Sequence, residues 1–208
     1  MKIKLYPLMS VIIELSWIGT VMATEEPKYA VVQTQAPFEV RRYAPTLIAE
    51  VVVDGGMDEA SSKGFRLIAD YIFGNNQTPG SEQQSKIAMT APVTVEPQSS
   101  KIAMTAPVTA MRWRVHFVMP SQYTLANIPK PKNKAVSLRE LPGKYFVVHS
   151  YSGFNTAARV QTKTNETLAW ATQQSLRVVG TPQLARYDPP WTLPMFRRNE
   201  IMLEVAAP

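Results

Sequence analysis

The chain has 208 residues, no cysteine, two histidines and a formal net charge of +6. Without cysteine it can form no disulfide, thiolate metal site or cysteine nucleophile, and His116 and His149 alone are too few for most metal centres. The length suits one domain with a real core, and the basic residues are too dispersed, and too little interleaved with aromatics, to make a nucleic-acid platform.

Lys2 and Lys4 precede an apolar run over residues 5–19, and Val21-Met22-Ala23 supplies small residues where a signal peptidase reads. This layout predicts a signal peptide over residues 1–23, cleaved after Ala23, and a periplasmic or secreted domain over residues 24–208. The apolar run falls short of the roughly 20 residues that span a bilayer, so no integral membrane span is expected after processing. Losing Lys2, Lys4 and Glu14 leaves the chain basic, which suits solubility and anionic partners in general.

Residues 38–43 alternate, and residues 47–53 form a β-branched run closed by Asp54-Gly55-Gly56; both read as strands. The period then changes. Over residues 57–73, Gly64, Leu67, Ile68, Tyr71 and Ile72 share a helical face, Asp58 and Glu59 favour the N-terminal dipole, and Gly74 ends the helix. The decapeptide SKIAMTAPVT follows at residues 85–94 and returns unchanged at residues 100–109. In the first copy Ile87, Met89, Ala91 and Val93 point one way, which predicts a strand with one apolar face. Pro92 cannot donate to a ladder, so that strand is expected at an edge or bulged. The segment VEPQS between the copies reads as a turn, so the copies can pair as a hairpin. Met89 and Met104 read as packing residues.

Residues 113–118 alternate and end at Pro120, which predicts a strand with His116 pointing outward from the barrel. His149 ends a later strand on the face of Val147 and Tyr151 and also reads as exposed. Short and longer strands at residues 136–139 and 144–151, a turn at Ser152-Gly153, a helix over residues 155–175, and strands at 183–187 and 201–205 complete the chain. Shifted by 98 residues, the first half falls on the second without a gap: Arg41 on Arg139, Tyr43 on Leu141, Gly55 on Gly153, Ala60 on Ala158. A duplicated β-α-β-β unit explains this, and two such units can close their apolar sheet faces around a shared core. The expected fold is α+β, a distorted antiparallel β-barrel with two flanking helices.

The segments EEPKYAVVQTQAPFEVRRYAPTLIAEV, KIAMTAPVT, WRVHFVMP, IPKPKNKAV, YFVVHSYSGF, RYDPPWTLP and RRNEIMLEV, in this order, resemble the SOUL/heme-binding protein family from Glu25 to Val205. The resemblance implies a barrel built from the same repeated unit and non-covalent binding of heme or another tetrapyrrole. It places the ligand in an apolar groove beside the first helix and makes residues 87–93 the counterpart of the family's single MT-x-PV strand. Carried over by position, the groove residues are Ser62, Phe65, Ala69 and Asp70 on that helix and Thr192 in the loop after YDPP; Ile68 lies on the same apolar stretch. The family is often basic where Ser62, Asp70 and Thr192 stand, and this chain has lost those charges, with Lys63, Arg66, Arg197 and Arg198 nearby. Where some members carry a histidine proposed as axial iron ligand, within E-x-R-x-Y, this chain has Arg42, which stays protonated and cannot ligate iron. Tyr43 can in principle ligate ferric heme.

The reading is therefore a tetrapyrrole-binding protein without a strong axial protein ligand and without a metal site of its own. It is not read as an enzyme: G-x-S-x-G, H-E-x-x-H and Gly-rich phosphate loops are absent from the sequence, and no local carboxylate pair marks an acid and base. The alternative is a non-enzymatic envelope module of the same fold that binds a protein partner through an exposed edge strand near Pro92 or Pro107 and does not bind heme.

Overall fold

A computed structural model describes residues 24–98 and 111–208. The expected signal peptide over residues 1–23 and the second decapeptide copy lie outside the described residues. Eleven strands and two helices follow in chain order: β1 (Tyr29–Gln35), β2 (Phe38–Tyr43), β3 (Thr46–Asp54), α1 (Met57–Ile72), β4 (Asn76–Gln77), β5 (Val93–Pro97), β6 (Arg112–Val118), β7 (Lys130–Pro131), β8 (Ser137–Leu141), β9 (Lys144–Tyr151), α2 (Ala157–Gln173), β10 (Gln183–Arg186) and β11 (Asn199–Val205). Nine strands form one antiparallel sheet in the order β1-β2-β9-β11-β10-β5-β6-β3-β8, and β4 pairs with β7 apart from it. The sheet curls into a half-barrel, with β1 and β8 as its two edges.

The duplicated unit is visible in this order. β2-β3-α1-β5-β6 and β8-β9-α2-β10-β11 are the two copies, joined at the centre by β5 and β10. Each copy lends its first strand to the other: β2 pairs with β9, and β8 pairs with β3. Gly55 and Gly153, matched in sequence, both adopt left-handed backbone (φ +128° and +106°) at the turn from strand to helix, where a side chain would be strained.

Both helices lie on the same, convex face. α1 packs on β3 and β6, burying Ile68, Tyr71 and Ile72 against Val51, Val115 and Phe117. α2 packs on β9 and β11 through Trp170 and Ala171 against Val147 and Leu203. Thr156 caps α2 by accepting from the Arg159 amide. The two apolar sheet faces thus point outward under the helices and do not close around a shared core as the sequence suggested. The concave face carries a smaller apolar cluster of Phe146, Val148, Ala185 and Met202 together with ion pairs. There Arg41 Nη1 lies 3.0 Å from Glu200 Oε2, Arg139 grips Glu50 with two bonds of 3.0 and 2.8 Å, and Arg114 donates to Glu96 at 2.7 Å.

The first decapeptide copy also differs from expectation. Only Val93 and Thr94 of it belong to a strand, and the expected turn after it continues as β5 through Pro97. β5 lies at the centre of the sheet and not at an edge; Pro92 immediately precedes its first residue, where no ladder donor is needed. Ile87 and Ala91 are buried, but Met89 is 38% exposed, because residues 86–91 run outside the ladder and keep no strict alternation.

Gly64 sets the distance between α1 and the sheet. A Cβ built there would lie 2.6 Å from Cβ and Cγ2 of Val115, whose side chain is fully buried. Helix propensity alone favours Gly64→Ala by about 1 kcal/mol, but overpacking costs about 1–3 kcal/mol. The substitution is expected to destabilise the protein in urea unfolding, and a gain in stability would show that the helix is free to rise from β6.

Candidate functional site

On the convex side, β10 lies between the strands that α1 covers and those that α2 covers, with Leu184 and Val95 buried. Arg186 rises from β10 on the same side. Its Nη2 donates to Asp58 Oδ1 (2.8 Å) and its Nη1 to Ser61 Oγ (3.2 Å), tying β10 to the first turns of α1. Along α1, Ser62, Phe65, Ala69 and Phe73 follow helical spacing and form one stripe. Phe65 is half-exposed, its ring 5.6 Å from that of Phe117 beneath it. Ala69 is buried, Ser62 is exposed, and Asp70 is exposed, accepting from Asn75 Nδ2 at 2.6 Å.

Ile68 belongs to the core under α1, with no exposed surface, and cannot share this outward stripe. Thr192 lies half-buried in the β10–β11 loop, where its carbonyl accepts from Arg197 Nε (2.7 Å). Phe73, Trp191, Leu193, Met195 and Phe196 were missed in the sequence reading, and all are more than half exposed. The run WTLPMF carried a signal for most of them: large apolar residues in a proline-rich loop that no neighbouring strand can cover.

The two histidines are not exposed, contrary to the alternation argument. His116 is 7% and His149 2% exposed. His149 lies on the convex face but beneath α2, its Nδ1 3.2 Å from Thr167 Oγ1 and its ring tilted against Phe38 with centroids 4.5 Å apart. His116 does face away from the helices, as its phase requires, but that face lines the interior of the curl. It sits in a cavity of about 270 Å³ walled by Tyr43, Phe146, Tyr187, Glu96, Arg114 and Arg139. Small-molecule sites are usually roughly 300–1,000 Å³, so a macrocycle does not fit inside. Arg42, in contrast, is exposed on the outer side of β2.

Burial sets the charge states of the interior. It pushes His116 down to about 4, against the pull of Glu96 and Glu50 in the opposite direction. Burial works to raise the Glu50 carboxyl, but Arg139 and Arg114 outweigh it and hold the group below its ordinary range. Burial and Arg41 act oppositely on Tyr43, which ends pushed up to about 12, so at neutral pH it carries no phenolate for a ferric ion. Among the described residues no cluster of three or more His, Cys, Asp or Glu is arranged to hold a metal ion.

The family model described as SOUL heme-binding protein matches residues 24–204. The chain belongs to that family. No curated protein matches it. Among solved structures it resembles the C-terminal domain of EcmrR (TM-score 0.59, 11% identity, covering 82% of this chain and 98% of that one). It also resembles a hydrolase from Listeria innocua (TM-score 0.54, 15% identity, 84% and 94%). An uncharacterized conserved protein from Listeria innocua is similar too (TM-score 0.52, 14% identity, 88% and 93%). At these identities the likeness is one of fold.

The depressed His116 gives a test of the buried interior. An unfolded histidine titrates near 6.5, so between about pH 6.5 and 4 the unfolded chain binds the proton that the folded chain refuses. The stability tied to neutral His116 is therefore full above pH 6.5 and is lost as pH falls toward 4, on the order of 3 kcal/mol. His149, held down by burial and by Lys163, adds to the loss in the same direction. Urea unfolding at pH 7.5 and 4.5 is expected to show a smaller acid loss for His116→Leu than for the wild type. Equal losses would mean that His116 takes up its proton in the folded state.

Proposed function

We propose that this protein binds heme or a related tetrapyrrole non-covalently on its convex side, against the outward stripe of α1 and the β10–β11 loop, without a strong axial protein ligand. The observation that carries the reading is the match of a heme-binding family over residues 24–204, combined with large apolar side chains standing open beside α1. Phe65, Ala69 and Phe73 supply the apolar face for a ring, and Ser62, Asp70 and Thr192 border it. Lys63, Arg66 and Arg197 are the nearby cations for propionates, since the three family positions that are often basic are neutral or acidic here.

The expected open coordination rests on where the histidines lie and on the lack of cysteine. His116 lies inside the sheet and His149 under α2, Arg42 is a guanidinium, and the chain has no cysteine. A tetrapyrrole would supply its own redox and spectroscopic properties; the protein supplies burial, orientation and charge. Contact with one aromatic side chain contributes about 1–3 kcal/mol. The reading is of a binding protein and not an enzyme.

Hemin titration followed at the Soret band tests it. Saturable binding at roughly micromolar affinity is expected, since no coordinate bond supplements the burial. Phe65→Asp is expected to weaken it at least tenfold, and His149→Gln to leave the spectrum nearly unchanged. Absence of any saturable Soret change in the wild type sinks the tetrapyrrole reading. The partner-binding alternative would then rest on β1, an edge strand exposed along its whole length.

The reading includes export and cleavage after Ala23, with the functional protein periplasmic or secreted. Mass spectrometry of the protein isolated from its host is expected to find Thr24 as the first residue; an intact Met1 would rule out cleavage.

A further inference from the structure

The β10–β11 loop and the start of α2 meet in a patch that the sheet does not cover. Trp191, Leu193, Met195, Phe196 and Phe154 are each between 58% and 83% exposed. The loop is nevertheless tied down. Arg197 donates to the carbonyls of Thr192 and Pro190, and its guanidinium stands 5.5 Å from the centre of the Phe154 ring. The Gly153 amide donates to Pro194 O at 2.8 Å, Thr192 N to Pro189 O at 3.0 Å, Phe196 N to Leu193 O at 2.9 Å, and Arg197 N to Pro194 O at 3.2 Å. Several backbone groups of the loop, the amides of Thr192, Phe196 and Arg197 and the carbonyls of Pro189, Pro190, Thr192, Leu193 and Pro194, are thus satisfied locally, while its apolar side chains stay exposed. That combination suits entry into a medium poor in hydrogen-bond partners.

The surrounding charge is mainly basic, although Asp188 at the start of the loop accepts from the Arg198 amide. Residues 153–165 and 189–199, the two segments that meet at the Gly153–Pro194 bond, carry Arg159, Lys163, Arg197 and Arg198 and no Asp or Glu. Lys163 pairs with Glu166, and Arg198 turns to Glu26 and Glu200. Arg159 and Arg197 have no carboxylate partner among the described residues and stay beside the apolar patch. Tryptophan, phenylalanine, leucine and methionine flanked by arginine is the chemistry of a surface that sits at the headgroup boundary of an anionic bilayer.

We propose that residues 189–197, with Phe154 and Arg159, form a docking face for anionic lipid bilayers. The loop enters the headgroup boundary through Trp191, Leu193, Met195 and Phe196, and Arg159 and Arg197 meet lipid phosphates. This goes beyond the tetrapyrrole reading and does not depend on it.

Vesicle co-sedimentation without hemin tests the proposal, using the chain from Thr24 on, which carries every described element. Vesicles of phosphatidylcholine alone are compared with vesicles that also contain phosphatidylglycerol. Expected are at least tenfold tighter binding to the anionic vesicles and a blue shift of tryptophan emission. The double variant Trp191→Ser/Phe196→Ser should lose at least tenfold in affinity while keeping the wild-type circular dichroism and melting temperature. Arg159→Glu should reduce binding to the anionic vesicles alone, and Phe65→Asp should bind them as the wild type does. No sedimentation of the folded wild type, or unchanged sedimentation of the double variant, overturns the proposal. A dimer in sedimentation velocity that the double variant abolishes, with no vesicle binding, overturns it in favour of a second copy on this face.

Discussion

Arg41 and Glu200 face each other at 3.0 Å with almost no access to water, one from β2 and the other from β11. An unpaired charge in that position would cost several kcal/mol, so each is tolerable only because the other is there. The pair is embedded: Tyr187 and Ser150 donate to the same carboxylate, and Arg41 also reaches Glu39 and Tyr43. Burial works against the guanidinium charge, but its anionic neighbours outweigh it and hold it protonated. The sheet can curl into a half-barrel with charges on its inner face because the cations there find carboxylates on the adjacent strand or, for Arg41 and Glu200, across β9.

The two halves of the chain solve this problem in parallel. Arg41 on β2 and Arg139 on β8 are matched by the half-repeat, and each reaches a buried or nearly buried carboxylate on the inner face, Glu200 or Glu50. Since each unit lends its first strand to the other, neither half can fold its outer strand without its partner. The exchange makes a single cooperative sheet out of two short units.

The two sides of the sheet differ in what they expose. α1 and the proline-rich loop leave large apolar side chains in the open, whereas the concave side holds a small cavity where ion pairs meet Phe146 and Met202. A flat apolar ligand suits the former far better than the latter. The histidines do not change this balance, since one is sealed behind α2 and the other inside the curl. The proline-rich loop leaves Trp191, Leu193, Met195 and Phe196 open to solvent, the side chains on which both the ligand and the docking proposals draw.

The elements were legible in the sequence because they depend on local spacing. β2 and α1 fall within a residue of where periodicity put them, and the half-repeat, including Gly55 and Gly153, follows from matching residues at a fixed shift. Strand alternation, however, divides residues between two faces without saying what covers either. His116 was assigned the correct phase yet the wrong exposure, because a sheet that curls buries the side its helices do not touch. Ile68 and Phe65 look alike on one apolar stretch, but only the packing of α1 on β6 sends one inward and leaves the other half in the open. The continuation of the first SKIAMTAPVT copy into a central strand was decided by β6 on one side and β10, far away in the chain, on the other, which together supply its ladder partners. The sequence by itself determined which segments are strands and helices and that the unit is doubled. Tertiary structure decided which face is inside, because the charges that make an inner face affordable pair across as many as 159 positions of chain.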